Sequence, residues 1–210
     1  MASGRPRGRG SVAGPIPGSI ARSIVLASRS PQRREILSRL GIEFTAVSPD
    51  VEELREGEPA SVVRENALRK ARAGLVATGA TALVIGCDTE VVLDGRVLGK
   101  PAGAEQALAG LRSLSGRRHE VLSGLAIVGP AATEGEAPER SGVSRSLVDF
   151  RRLDEATLER YVASGEWRER AGGYAIQGLG AALVERVEGD VANVIGLPVG
   201  LLWELAPELL

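Results

Sequence analysis

The sequence contains a single cysteine, Cys87, so it cannot close an internal disulfide, and a reducing compartment is the setting that suits it. Aromatic residues are scarce, two each of Trp, Tyr and Phe, so a core must be packed from Ala, Val, Leu and Ile. An excess of charge of either sign is also missing, with 26 Lys and Arg against 27 Asp and Glu. A near-neutral chain exerts no global pull on nucleic acid or on an anionic membrane, and any basic site must be local. No apolar run approaches the ~20 residues that a transmembrane helix needs. What is present is a 43% hydrophobic fraction over 210 residues, enough for one compact domain or two closely joined lobes.

Residues 1–20 are of different material. "MASGRPRGRGSVAGPIPGS" is dense in Gly, Pro and Ser, carries Arg5, Arg7 and Arg9, and has no apolar periodicity. It lacks the continuous apolar core of a secretory signal and is expected to be a disordered tail. Three arginines leave too small an electrostatic footprint for a nucleic-acid-binding arm. Residues 21–210 are expected to form a single domain.

Within that domain strands and helices alternate. "SIVLAS" (23–28) reads as a short buried strand, residues 31–40 as a helix stopped by Gly41, and 44–47 as a second strand. From Pro59 to Thr78, apolar residues recur at Val63, Ala67, Ala71 and Leu75, a four-residue step that makes one helical face. "ALVIGCD" (82–88) is a continuous apolar run, as for a strand covered on both sides, which puts Asp88 at its C-terminal end. "VVLDGRVL" holds Asp94-Gly95 between apolar arms, a strong hairpin signal. A helix is expected over 103–114, then strands at "HEVLSGLAIVG" and "SLVDFRRL", joined by a polar insert, 131–146, read as a mobile loop. Asp154 caps a helix ended by Gly165; "GGYAIQG" and "AALVERVEG" read as further strands, and Pro198 opens a last helix. Alternating strands and helices with hairpins predict an α/β fold with a mixed central sheet.

Four polar clusters fall at the ends of these elements. The first is Ser28, Ser30, Gln32, Arg33 and Arg34, with Pro31 at the first helical position. Cations in a first helical turn oppose the macrodipole, unless an anion also docks there. Free backbone N–H groups, hydroxyls and guanidinium groups would hold a polyphosphate; a capped surface helix with solvated arginines is the alternative. The Gly-rich phosphate-loop pattern is absent. The second cluster is "GCDTEVVLDGRVLGKP", whose hairpin can return Lys100 toward Asp88. A carboxylate beside a lysine can orient or deprotonate water. A strand-end Asp capping a turn beside a solvated lysine is the bland reading, and Cys87 is a small buried filler. Third come Glu52 and Glu53 in "PDVEE", with Lys70 bordering the apolar face of the long helix. Fourth is Gln177 in "GGYAIQGLG", hemmed by glycines that let backbone approach a ligand, or that merely serve tight turns.

Other polar and aromatic residues carry less. His119, the lone histidine, opens a strand and is read as a structural hydrogen-bonder. Trp167 and Trp203 are read as packing anchors, and "RLDEATLERYVASGEWRER" as a solvated helix face.

Taken in order, "LASRSPQRREIL", "DVEE", "ALRKARA", "GCDTEVVLDGRVLGKP", "LSGRRHEVLSG", "GGYAIQGLG" and "GDVANVIGLP" give a sequence that resembles the Maf family of nucleotide pyrophosphatases. The resemblance covers residues 23–205 and implies two lobes around a nucleotide cleft. It implies hydrolysis of a nucleoside triphosphate to the monophosphate and diphosphate, with a divalent cation, Mg or Mn. Carried over by residue, Asp88 matches the catalytic acidic residue and Ser28, Arg33 and Lys100 the phosphate-binding set. Glu53 and Lys70 match further active-site positions, with Asp88 and Glu53 as the metal ligands. Thr89 and Gln177 match positions associated with substrate choice. Gln32 stands where many members have the first arginine of S-P-R-R, which bears on base preference. Thr89 after Asp88 looks like the branch acting on dTTP and UTP, with modified nucleotides as further candidates. The resemblance also implies a cytoplasmic protein without stable nucleic-acid or membrane partners, and a homodimer is in keeping with it. A nucleotide-binding cell-division regulator without significant turnover is the alternative.

Overall fold

The computed structural model describes residues 23–130 and 138–210. The segment expected to be a disordered tail (1–20), and residues 131–137 of the polar insert, lie outside the described residues. The described strands are β1 (Ile24–Ala27), β2 (Thr45–Val47), β3 (Leu83–Leu93), β4 (Arg96–Val97), β5 (Arg118–Val128), β6 (Glu139–Phe150) and β7 (Val184–Glu188). The helices are α1 (Pro31–Arg39), α2 (Pro59–Ala77), α3 (Ala104–Leu114), α4 (Glu155–Ser164), α5 (Val191–Ile195) and α6 (Val199–Leu205). The strands form one mixed sheet in the order β2-β1-β3-β5-β6-β7, with β4 folded back onto β3. β1 is parallel to β2 and to β3, and the remaining pairs are antiparallel.

Helix α2 covers one face of the sheet. Its four-residue stripe, Val63, Ala67, Ala71 and Leu75, is buried as the spacing predicts. The helix lies unusually close to the strands because two glycines remove side chains beneath it. A Cβ on Gly86 would sit 2.2 Å from the Ala67 carbonyl oxygen, and one on Gly124 2.0 Å from that of Val63. Backbone-to-backbone contact of this kind tolerates no substituent.

The other face carries two apolar clusters. Leu26, Leu37, Ile85, Leu125 and Leu202 join β1, β3 and β5 to α1 and α6. Leu93, Leu111, Val121, Phe150, Tyr161 and Trp167 join the far ends of the strands to α3 and α4. Between them lies a polar row, Thr89 of β3 paired with Ser123 of β5, whose hydroxyls are 2.8 Å apart. On the α2 face the sequence neighbours Asp88 and Glu90 interrupt the apolar surface in the same way. The site therefore falls where the sheet's apolar cover is broken.

Four local expectations need correction. β3 runs on to Leu93, so Asp88 lies in mid-strand and not at a strand end. Residues 139–146, expected in a mobile loop, are strand: β6 pairs with β5 from Glu139 to Asp149. That half of β6 is polar and lacks an apolar signal of its own, but the eleven-residue β5 supplies its hydrogen-bond partners. "GGYAIQG" is not a strand; it begins with a 3₁₀ turn, Ala171–Gly173. Gly172 and Gly173 adopt φ of 66° and 70°, a left-handed pair that no strand accommodates. Trp167 is buried as expected, whereas Trp203 is 56% exposed and anchors little.

His119 is structural, as its strand position suggests. Its Nε2 lies 2.8 Å from the Tyr174 hydroxyl, and its ring meets Phe150 and Tyr174 edge-on. Burial pushes its pKa down from 6.5 to about 4. An unfolded chain then takes up a proton before the folded one does, so this residue's share of stability is complete above pH 6.5 and is lost as pH falls toward 4. Replacing His119 with Gln should remove about 2 kcal/mol of the stability difference between pH 7 and pH 5. Urea unfolding of both proteins at the two pH values checks this, and equal differences would refute it.

Candidate active site

The site begins where β1 ends. The parallel pairing of β1 with β3 stops at Ala27 opposite Gly86, while β3 continues. Backbone polar groups along that newly opened edge need other partners. Arg33, in the first turn of α1, supplies one: Nη1 donates to the Cys87 carbonyl at 2.8 Å. The same guanidinium donates from Nη1 to Ser28 Oγ (3.1 Å), from Nη2 to Thr89 Oγ1 (3.0 Å) and from Nε to the Gly196 carbonyl (2.8 Å). It is 9% exposed. Arg33, expected to meet a phosphate, lines neither cavity and is engaged by protein acceptors. Its donors are taken up by protein acceptors, and it positions Ser28 and Thr89, which face the cavities. The Cys87 and Gly196 carbonyl oxygens offset its charge in the first helical turn.

On the α2 face three predicted residues converge. Lys70 Nζ lies 2.6 Å from Asp88 Oδ1 and 2.7 Å from Glu53 Oε1. Asp88 is buried, and the Lys70 side chain is only 13% exposed, so this ion pair is largely desolvated. Removing one member of such a pair leaves an uncompensated charge. Asn66, one helical turn before Lys70, donates from Nδ2 to Asp88 Oδ2 at 3.0 Å. It also accepts from the Leu54 N–H and donates to the Leu54 carbonyl, at 2.8 and 3.1 Å. Asn66 therefore fixes the aspartate and the Glu53 loop together.

Two cavities that share part of their lining open beside these groups. A wide cleft of about 580 Å³ is lined by Ser28, Gln32, Glu53, Lys70 and Lys100, among others. A narrower space of about 100 Å³ is lined by Gln32, Thr89, Lys100, Tyr174 and Gln177. The narrow space thus gathers Thr89 and Gln177, and the wide one Ser28, Glu53 and Lys70, while Asp88 and Arg33 line neither and stand behind Lys70 and Ser28. Lys100 comes to the cleft, but its ammonium pairs with Glu169 at 3.4 Å and not with Asp88. Gln32 accepts a hydrogen bond from the Ser30 hydroxyl at 3.0 Å and lines both spaces.

Several functional candidates escaped the sequence reading. Glu90 lies two residues beyond Asp88, on the same strand face. One of its carboxylate oxygens is buried without a hydrogen-bond partner. Burial first, and then the charges of Asp88 and Glu53, push its pKa up to about 7. The spacing of two could have revealed Glu90, as the spacing of four could have revealed Asn66. Glu166 carried no such signal: its carboxylate accepts from the N–H groups of Leu179 and Gly180, at 3.1 and 3.2 Å, and holds the turn that follows Gln177.

The donor set suits a hard divalent cation. Two carboxylates, Asp88 and Glu53, already converge on one positive charge, the Lys70 ammonium. Among the described residues no cluster of three or more Asp, Glu, His or Cys is arranged to hold a metal by itself. A divalent cation can also be held by one or two carboxylates together with substrate phosphates.

Comparison with known proteins finds similarity over nearly all of the described chain. A family model described as Maf-like protein matches residues 23–209. A dTTP/UTP pyrophosphatase of Deinococcus radiodurans is 44% identical over 191 residues, covering 90% of this chain and 94% of the relative. One from Dictyoglomus thermophilum is 44% identical over 194 residues, covering 90% and 96%. One from Moorella thermoacetica is 49% identical over 185 residues, covering 87% and 92%.

Replacing Arg33 with Met should strand buried acceptors on three segments and lower the unfolding free energy by about 3 kcal/mol. The same change should speed labelling of Cys87, a fully buried thiol whose Sγ lies 3.4 Å from the Gly196 carbonyl oxygen. Denaturant unfolding and thiol-reagent kinetics report the two effects; wild-type values in both would show that Arg33 ties nothing together.

Proposed function

This chain belongs to the Maf-like family, and on that premise we propose that it hydrolyses nucleoside triphosphates, dTTP and UTP foremost, to the monophosphate and pyrophosphate. The observation that carries the reading is the Asp88–Lys70–Glu53 arrangement, whose Lys70 and Glu53 line a nucleotide-sized cleft with Asp88 paired directly behind Lys70. Preference for the pyrimidine nucleotides is supported by the relatives' names and by Thr89 and Gln177 in the narrow space. A binding protein without turnover is the weaker reading, because these relatives bear enzyme names and the carboxylate–ammonium pair is in place here.

Asp88 orients a water molecule and accepts its proton at a carboxylate oxygen. Asn66 and Lys70 each donate to one of those oxygens, which fixes the plane of the carboxylate and leaves lone pairs for the water. The water oxygen bonds to the α-phosphorus, the bond from that phosphorus to the α–β bridging oxygen breaks, and pyrophosphate departs. Lys100, exposed and weakly paired with Glu169, is free to turn toward the departing charge. Gln177, on the turn held by Glu166, and Thr89, held by Arg33, bound the space for the base. Asp88 and Glu53 would hold Mg²⁺ or Mn²⁺, which when bound neutralises phosphate charge and acidifies a coordinated water. A cytoplasmic location fits both the substrate pool and the single free thiol.

Asp88→Asn should lower kcat for pyrophosphate release from dTTP by about 10²–10⁴-fold with little change in KM. Chelation should abolish wild-type turnover, and Mg²⁺ or Mn²⁺ should restore it. Unaltered activity in the variant would remove Asp88 from the mechanism. Release of orthophosphate in place of pyrophosphate would replace the proposed reaction with a phosphatase.

A further inference from the structure

Arg170 lies where the two cavities meet. Only five residues line both spaces: Ser30, Gln32, Lys100, Glu169 and Arg170. Of the cations around the wide cleft, most are engaged or fully solvated. Lys70 serves two carboxylates, Lys100 pairs with Glu169, and Arg168 lies over the Trp167 ring at 5.0 Å. Arg29 is exposed. Arg170 alone is half-buried and yet unpaired: its Nε–H is buried with no hydrogen-bond partner among the described residues, and no carboxylate there forms an ion pair with it. Burial pushes the acidity of this guanidinium in the direction expected of a desolvated cation, lowering its pKa. Leaving a charged donor dry and unmatched is costly, and native proteins keep few such groups.

Its position is also fixed. The Arg170 N–H donates to the Trp167 carbonyl at 3.3 Å, the Gly173 N–H donates to the Arg170 carbonyl at 3.1 Å, and the Gly172 N–H donates to the Gly99 carbonyl at 2.7 Å. The last bond ties the segment to the residue preceding Lys100. A planar guanidinium fork carried on a held backbone recognises a phosphate oxygen better than a solvated lysine does.

We propose that Arg170 is a further substrate-contacting residue, its guanidinium binding the α-phosphate of the nucleotide at the neck between the two cavities. The assignment rests on the pyrophosphatase reading above: with the base in the narrow space and the β- and γ-phosphates in the wide cleft, the α-phosphate occupies the junction. It adds a half-buried cation that lines both spaces and forms no hydrogen bond or ion pair through its side chain among the described residues, with Glu166 and Tyr161 near enough only to act on its charge through space.

The test is ligand-observed NMR titration of thymidine, dTMP and inorganic pyrophosphate into wild type, Arg170→Met and Arg170→Lys, with folding verified by circular dichroism. Arg170→Met should weaken dTMP binding by roughly 10- to 100-fold and leave thymidine and pyrophosphate binding unchanged. Arg170→Lys, which keeps the charge but loses the fork, should fall between, and it carries the test alone if the Met variant does not fold. Wild-type affinity for dTMP in a folded variant would overturn the proposal. So would a loss shared equally with thymidine, or one confined to pyrophosphate. If wild type released no pyrophosphate from dTTP while the variants still lost dTMP, the pyrophosphatase reading would fall and the phosphate contact would stand. Normal pyrophosphate release with unchanged dTMP binding would do the opposite, sinking the contact and sparing the reaction.

Discussion

The buried guanidinium of Arg33 is the constraint around which the site is organised. β3 outlasts its parallel neighbour, and a strand that loses a partner exposes polar backbone toward the protein interior. Arg33 meets that need and, in the same act, binds Ser28, Thr89 and the Gly196 carbonyl. One side chain thereby joins the start of α1, the middle of β3 and the turn between α5 and α6. A lysine could not do this, because a single ammonium lacks the planar fork that reaches several acceptors at fixed angles. The cavities beside it keep their shape because this tie is short, buried and directional.

From that tie the two faces of β3 acquire different tasks. Alternation places Thr89 toward α1 and α5, and Asp88 and Glu90 toward α2. Each face would otherwise be continuous apolar core, so the polar residues divide the cover into separate clusters. Burying Asp88 is tolerable only because Lys70 and Asn66 reach its two oxygens from one stripe of α2. That stripe can come close enough only because Gly86 and Gly124 let the helix rest on the strands. Glu90 has no such partner among the described residues and is held well above the ordinary carboxylate range.

Charge within the cleft follows the same logic. The carboxylates of Asp88 and Glu53 are set against Lys70, so that ammonium is already matched by two negative charges. On the reading proposed above, attraction is left to Lys100 with its loose partner and to Arg170, which forms no ion pair among the described residues. An enzyme that must release pyrophosphate gains from this division, because fixed groups orient the reaction while adaptable ones accept and let go of the anion.

The sequence by itself determined whatever depends on neighbours a few residues away. The buried opening strand, the proline-started α1, the stripe of α2, the Asp94-Gly95 hairpin and the Asp154 cap were legible for that reason. The ordered motifs also named Asp88, Lys70 and Glu53, which the fold does bring together. Only the tertiary structure decided where long side chains point and which polar segments find partners. Arg33 turned inward because an unpaired carbonyl waited 54 positions away, and the polar half of β6 became strand because β5 lay beside it. Glu166 and Arg170, two charges within a run read as a solvated helix face, gained their roles from segments folded against them. Periodicity encodes which face of an element is buried, but a guanidinium or carboxylate takes its meaning from whatever acceptor or donor the folded chain puts within about three ångströms.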